Sequence, residues 1–73
     1  MINHYSVKGI YHPRIDKRYT IVNFFELEVE RMGAMEIFMF LKERTLKNMH
    51  ETLDVVFSDN EVDIDITLLK SEP

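Results

Sequence analysis

The stretch from Gly33 to Phe57 constrains this chain most, because no other segment is long enough for a helix that could cover a sheet. At about 100° per residue, Met35, Phe38, Met39, Leu46, Met49, Leu53, Val56 and Phe57 fall on one stripe. The spacing predicts a helix over 33–57 with that stripe turned inward. Its first half, AMEIFMFL, is apolar nearly all round, so Ile37, Phe40 and Leu41 lie off the stripe. In the second half Glu43/Lys47 and Lys47/Glu51 form i,i+4 pairs on a wet face. Lys42 falls inside the stripe, where its stem can snorkel. No Ser, Thr, Asp or Asn stands at the start as a cap. Ser58-Asp59-Asn60 marks the end, and Asn60 suits a left-handed cap. Two rival parses fit parts of the segment. Met35, Ile37, Met39 and Leu41 alternate as a strand would, with Thr45 then capping a shorter helix. Leu53–Phe57 could instead pair with the next segment across Asp59-Asn60.

Strand signals flank the helix. Tyr5, Val7 and Tyr11 alternate with Ser6, Lys8 and His12, the period of a half-buried strand weakened by Gly9. His12-Pro13-Arg14-Ile15-Asp16-Lys17 reads as a turn: Pro13 cannot donate to a ladder, and a loop longer than two residues disfavours a tight primed turn. From Tyr19 to Glu30 the odd positions Tyr19, Ile21, Phe25, Leu27 and Val29 are apolar. On the even side Val22 and Phe24 break a run of Thr20, Glu26, Glu28 and Glu30, so the middle of this strand is apolar on both faces. Val62, Ile64, Ile66 and Leu68 alternate with Asp63, Asp65 and Thr67 as a further half-buried strand. Lys70–Pro73 reads as a frayed tail.

Strand, strand, helix, strand assembles as an α+β fold: a two-layer ββαβ domain over residues 1–73, its three-stranded sheet covered on one face by one long helix. The last strand can flank the first, giving an all-antiparallel sheet. It can also flank the second as a parallel pair through a right-handed crossover. The doubly apolar middle of the second strand favours that strand for the centre.

Size makes such a domain marginal. A chain of 73 residues buries roughly 60% of its unfolded surface, and its core supplies only ~3–5 kcal/mol. There is no cysteine, so disulfides, thiolate zinc sites and thiol nucleophiles are excluded. With 45% hydrophobic residues the chain is too apolar for disorder. A partner chain remains as the staple. The first residues, MINHYSVKG, lack the apolar run of a secretory leader, and the longest apolar run, Ile37–Leu41, is far too short to span a membrane. The expected location is the cytoplasm, with no membrane partner.

Charge is sorted along the chain. Residues 1–18 sum to +3, residues 19–47 to −1 and residues 48–73 to −6, within a net charge of −4. An antiparallel pair of chains could match the basic front to the acidic back.

Residues able to do chemistry are few. His4 and His12 share a strand face but lie roughly 27 Å apart when extended, too far to share a metal. His50 and Asp54 form an i,i+4 helix pair, geometrically an acid–base couple but read more simply as a solvated pair. No serine sits in a nucleophile elbow, and no glycine belongs to a phosphate-cradling loop. The acidic run Asp59, Glu61, Asp63, Asp65 lacks the glycine and the final glutamate of a calcium loop. Carboxylates placed as phosphates could also mimic nucleic acid, but a charge of −4 is small for that. The methionines read as core filler sooner than as an adaptable groove. No catalytic residue, metal or cofactor is expected.

The sequence therefore points to a non-enzymatic protein–protein interaction module of the regulator or inhibitor type. It would bind an unidentified protein and itself, as a homodimer. The expected self-association residues are Val22 and Phe24 on the bare sheet face and Ile37, Phe40 and Leu41 at the helix start. The alternative is a small nucleic-acid-binding protein, gripping phosphates with Arg14, Lys17 and Arg18 and stacking bases on Tyr11 and Tyr19.

Overall fold

Period-2 alternation makes the first segment the spine of the molecule. In the computed structural model, which describes residues 1–73, β1 spans Ile2–Arg14, β2 Lys17–Glu28, α1 Ala34–Thr52 and β3 Val62–Glu72. A 3₁₀ turn, Asp59–Glu61, precedes β3. The sheet order is β2-β1-β3, antiparallel throughout, with α1 packed on one face. This is the two-layer ββαβ fold that the pattern foretells.

β1, and not β2, holds the centre. Asn3, Tyr5, Val7, Gly9 and Tyr11 are all buried under the helix. The reason lies in Gly9: a Cβ there would run into the Met49 sulfur and lie 3.1 Å from the Thr45 methyl. The helix crosses the sheet at its closest where β1 has no side chain, so β1 must lie beneath it. The doubly apolar β2 is left on an edge, with one flank unpaired.

The same crossing sets the helix phase. Thr45 and Met49 seat over Gly9, and stepping back by fours along that row brings Leu41 and Ile37 to the sheet. Leu41, Thr45 and Met49 are 0% exposed. The expected inward stripe is thus rotated: Met35, Phe38 and Met39 face outward. Gly33 caps the start, its N–H donating to Glu36 Oε1 at 3.4 Å, which is half of a capping box.

α1 ends at Thr52, short of the expected Phe57, and no residue takes a left-handed conformation. Val55 and Val56 are β-branched and resist a helix, and Asp54 would oppose the dipole at its C-terminus. The chain then bends over residues 53–55, so that Leu53 and Val55 are half-buried and Phe57 buried while Asp54 and Val56 are exposed. Phe57 lands 5.0 Å from the Tyr11 ring and 4.1 Å from the His50 ring, centroid to centroid.

Two clusters make the core. One gathers Tyr11, Leu46, Met49, Phe57 and Val62 near the hairpin tip. The other joins Tyr5, Val7 and Leu41, with Phe25, Leu27, Ile37, Phe40 and Ile66 leaning on it. The molecule is long and thin, 43 × 18 × 18 Å.

Both hairpin partners carry irregularities. Only Ile15 and Asp16 lie between the paired Arg14 and Lys17, so the loop is two residues and not longer. It is not a primed turn, since no residue has positive φ. A register shift at His12-Pro13 absorbs the missing donor of proline. On the other side a shift between His4 and Tyr5 leaves Leu69 as an extra residue in β3. Pairing then continues through Lys70↔His4 and Ser71↔Asn3, so the expected tail is strand as far as Glu72.

Candidate interaction surface

The alternation of β2 sends Val22 and Phe24 to the sheet face away from the helix. Their cross-strand neighbours on β1 are Lys8 and Ser6; on their other flank β2 is an open edge. Phe24 is 73% exposed and Val22 45%. Leu69 is likewise exposed on β3, and Ile10 is half-buried. Beside Phe24 a groove of about 290 Å³ runs between the β2 edge and the helix, bounded by Asn23, Phe25, Arg44, Lys47, Asn48 and Glu51. Asn48 Nδ2 donates to Asn23 Oδ1 at 2.6 Å across its floor, and Thr52 Oγ1 donates to Asn48 Oδ1 at 3.0 Å.

The helix-start half of the expected self-association set belongs to the core. Leu41 is fully buried, and Ile37 and Phe40 pack half-buried on the Tyr5–Val7–Leu41 cluster. Rotation of the helix about the Gly9 crossing is what pulled them in. In exchange Met35, at 71% exposure, stands out with Phe38 and Met39, and the Lys42 ammonium lies 5.8 Å from the Phe38 ring. Because that half of the helix is apolar all round, periodicity could not tell the two sets apart.

The rest of the far face mixes charged residues with the smaller side chains Ser6, Thr20 and Thr67. His4 Nδ1 lies 3.5 Å from Glu26 Oε1, and His4 Nε2 lies 3.1 Å from Glu72 Oε1, at an angle that is not a hydrogen bond's. Lys70 Nζ bonds Glu72 Oε1 at 2.9 Å. That contact pushes the Lys70 ammonium above its ordinary pKa and holds the Glu72 carboxyl below its own. Glu28 is also held low, first by the Glu30 backbone N–H and then by the N-terminal ammonium 3.1 Å away. Lys8 stands opposite Asp65, so part of the basic front meets the acidic back within one chain.

Arg14, Lys17 and Arg18 are all exposed at the hairpin tip, where Ile15 is 99% exposed and Arg14 Nε lies 3.6 Å from Asp16. Their supposed stacking partners are not beside them. Tyr11 is buried and Tyr19 half-buried, the two rings stacked on each other at 5.9 Å on the helix side. His50 does not meet Asp54. Its Nε2 is 2.7 Å from Asp59 Oδ1, because the chain turns after Thr52 and carries Asp59 back to the helix end. With its ring on Phe57, this histidine ties the 53–61 connection down. No group of three or more His, Asp or Glu side chains stands together as metal ligands. No helix is long and apolar enough to cross a membrane. Comparison with known proteins finds no matching family model, no matching curated sequence and no matching solved structure.

Proposed function

We propose that this chain is a non-enzymatic protein–protein interaction module of the regulator or inhibitor type, and that it works as a homodimer in the cytoplasm. One observation carries the reading: Phe24 and Val22 stand exposed beside an unpaired edge strand. Leaving a phenylalanine and a valine in water forgoes roughly 1.5–3 kcal/mol each, a large share of the stability of so small a domain. The molecule also exposes more surface than its size requires. Its accessible area is 5311 Å², against about 4,800 Å² for a typical monomer of this mass. An isologous dimer covers such a patch twice with one surface. The cytoplasmic assignment rests on the cysteine-free composition.

Met35, Phe38 and Met39 form a second uncovered apolar set on the helix, and this is the surface the reading assigns to another protein. The nucleic-acid alternative keeps its three cations but loses the aromatic half of its argument, since Tyr11 is buried in the core and Tyr19 is stacked half-buried against it. Sedimentation equilibrium at micromolar concentration tests self-association. Twice the chain mass is expected, and a single species of 8.8 kDa across the range would overturn the homodimer.

A further inference from the structure

The open flank of β2 has a defined polarity. Val29 N–H donates to the Met1 carbonyl at 3.1 Å. The register runs without interruption from Ile2↔Glu28 to Tyr11↔Tyr19. Antiparallel alternation then turns the odd residues of β2 toward β1, and the N–H and C=O groups of Arg18, Thr20, Val22, Phe24, Glu26 and Glu28 toward the free edge. Any strand added there must bond to these six. If the added strand is β2 of a second copy, even residues must face even residues, and the two-fold axis must pass through a residue.

Resting on the homodimer reading, we propose that two copies join by pairing β2 with itself, antiparallel, about a two-fold axis through Asn23, making one six-stranded sheet with both helices on one face.

Side-chain chemistry selects this axis over its neighbours. About Asn23, Arg18 faces Glu28 of the second copy, and Val22 faces Phe24, each twice. On the helix side Ile21 faces Phe25, Tyr19 faces Leu27, and Asn23 faces its own symmetry mate. Like meets like along the ladder, and opposite charges meet at its ends. Moving the axis to Val22 sets Asn23 against Ile21 and Phe24 against Thr20. Moving it to Phe24 sets Val22 against Glu26. At its place beside Arg18 of the second copy, Glu28 has its carboxyl held below the ordinary pKa, first by the Glu30 N–H and then by the N-terminal ammonium. The groove beside Asn23 opens along the same edge, so the axis also brings Lys47 and Glu51 of the two helices toward each other.

The other edge does not pair with itself in this way. On β3 an axis through Ile64 sets Asp63 against Asp65, one through Asp63 or Asp65 sets that acid against its own copy, and the extra residue at Leu69 interrupts the flank.

Because the chain has no cysteine, a single introduced thiol reads the geometry directly. Asn23→Cys puts two thiols in a non-hydrogen-bonded pair whose Cα atoms lie about 4.5 Å apart, within disulfide reach. Mild oxidation should convert this variant to a covalent dimer, while Asp65→Cys on β3 stays uncrosslinked. Independently, Arg18→Glu or Glu28→Arg alone should raise the dimer dissociation constant about tenfold, and the two together should restore it. If the native chain sediments as a dimer but Asn23→Cys does not crosslink and the double reversal does not rescue, this pairing is wrong while the homodimer stands. If the native chain is monomeric, both fall. Crosslinking through Asp65→Cys in place of Asn23→Cys would move the interface to β3 and overturn the proposal.

Discussion

The two edges of the sheet are treated in opposite ways by the sequence. β3 carries Asp63 and Asp65 on alternate far-face positions and bulges at Leu69; both features discourage a further strand. β2 runs twelve residues, with an unbroken register along most of them and apolar side chains on both faces at its middle. A sheet that needed only to avoid aggregation would blunt both edges. Blunting one and leaving the other long, regular in register and tipped with opposite charges is how a chain would reserve a strand for one kind of neighbour. The edges differ in chemistry, not in burial: both strands lend half-buried residues to the same helix.

The strongest way to break the comparison is to remove the platform that both edges share. Met49→Ala empties the position over Gly9 and should cost ~2–5 kcal/mol, read as a shift in the denaturation midpoint. An unaltered midpoint would mean that α1 does not cover β1. Ile64→Ala removes a β3 side chain that packs against both core clusters. Since Ile64 is only half-buried, its loss should fall at the low end of that same range.

Next in size is an exchange of characters between the edges. Replacing Asp63 and Asp65 with valine removes the charges that blunt β3 and leaves its bulge at Leu69 in place. Species beyond the dimer should then appear by light scattering, because a molecule with two open edges has no closing geometry. Continued dimers in the double variant would show that the acids are not what distinguishes the edges. A third change should leave both edges alone. Thr45 is fully buried and its hydroxyl meets no partner in the protein. Thr45→Val should therefore raise stability by about 1 kcal/mol with sedimentation unchanged. A loss of stability would mean that this hydroxyl is bonded after all.

How much of this was readable in the chain follows from which contacts are local. The strands were legible because a period of two needs only neighbours: Tyr5, Val7 and Tyr11 announce their face by themselves. Helix phase was not, because Met35, Phe38 and Met39 are as apolar as Ile37, Phe40 and Leu41. The choice between them is made by Gly9 in the first strand, where Thr45 and Met49 find room. The helix end was misread for a similar reason: Phe57 fits a helical stripe, but its contacts with Tyr11 and His50 are gained only by leaving the helix. Strand order turned on an ambiguity in β2. An apolar middle on both faces marks either a central strand or an edge awaiting a partner. Of the expected surface residues, Val22 and Phe24 were readable because strand parity alone assigns their face.

The smallest expected effect compares the two edges where they meet β1. Ile2 pairs with Glu28 of β2 on one side and Glu72 of β3 on the other, and both carboxyls are held below the ordinary 4.5. For Glu28 the main cause is the Glu30 N–H; for Glu72 it is Lys70. A carboxyl depressed in the folded state contributes stability that is present above its unfolded value and lost as pH falls through its folded one. Both therefore steepen the loss of stability below pH 4.5. Lys70 is shifted upward from 10.5, so its contribution is complete below that value and is lost as pH rises through the raised one. All three groups are open to solvent, so screening keeps the effects small. Glu28→Gln should flatten the acid limb of a melting-temperature profile and leave the alkaline limb alone. Glu72→Gln should flatten both, because it also takes away the partner of Lys70. Equal alkaline limbs in the two variants would mean that Glu72 and Lys70 are not paired in solution, and that the β3 end is as loose as a tail.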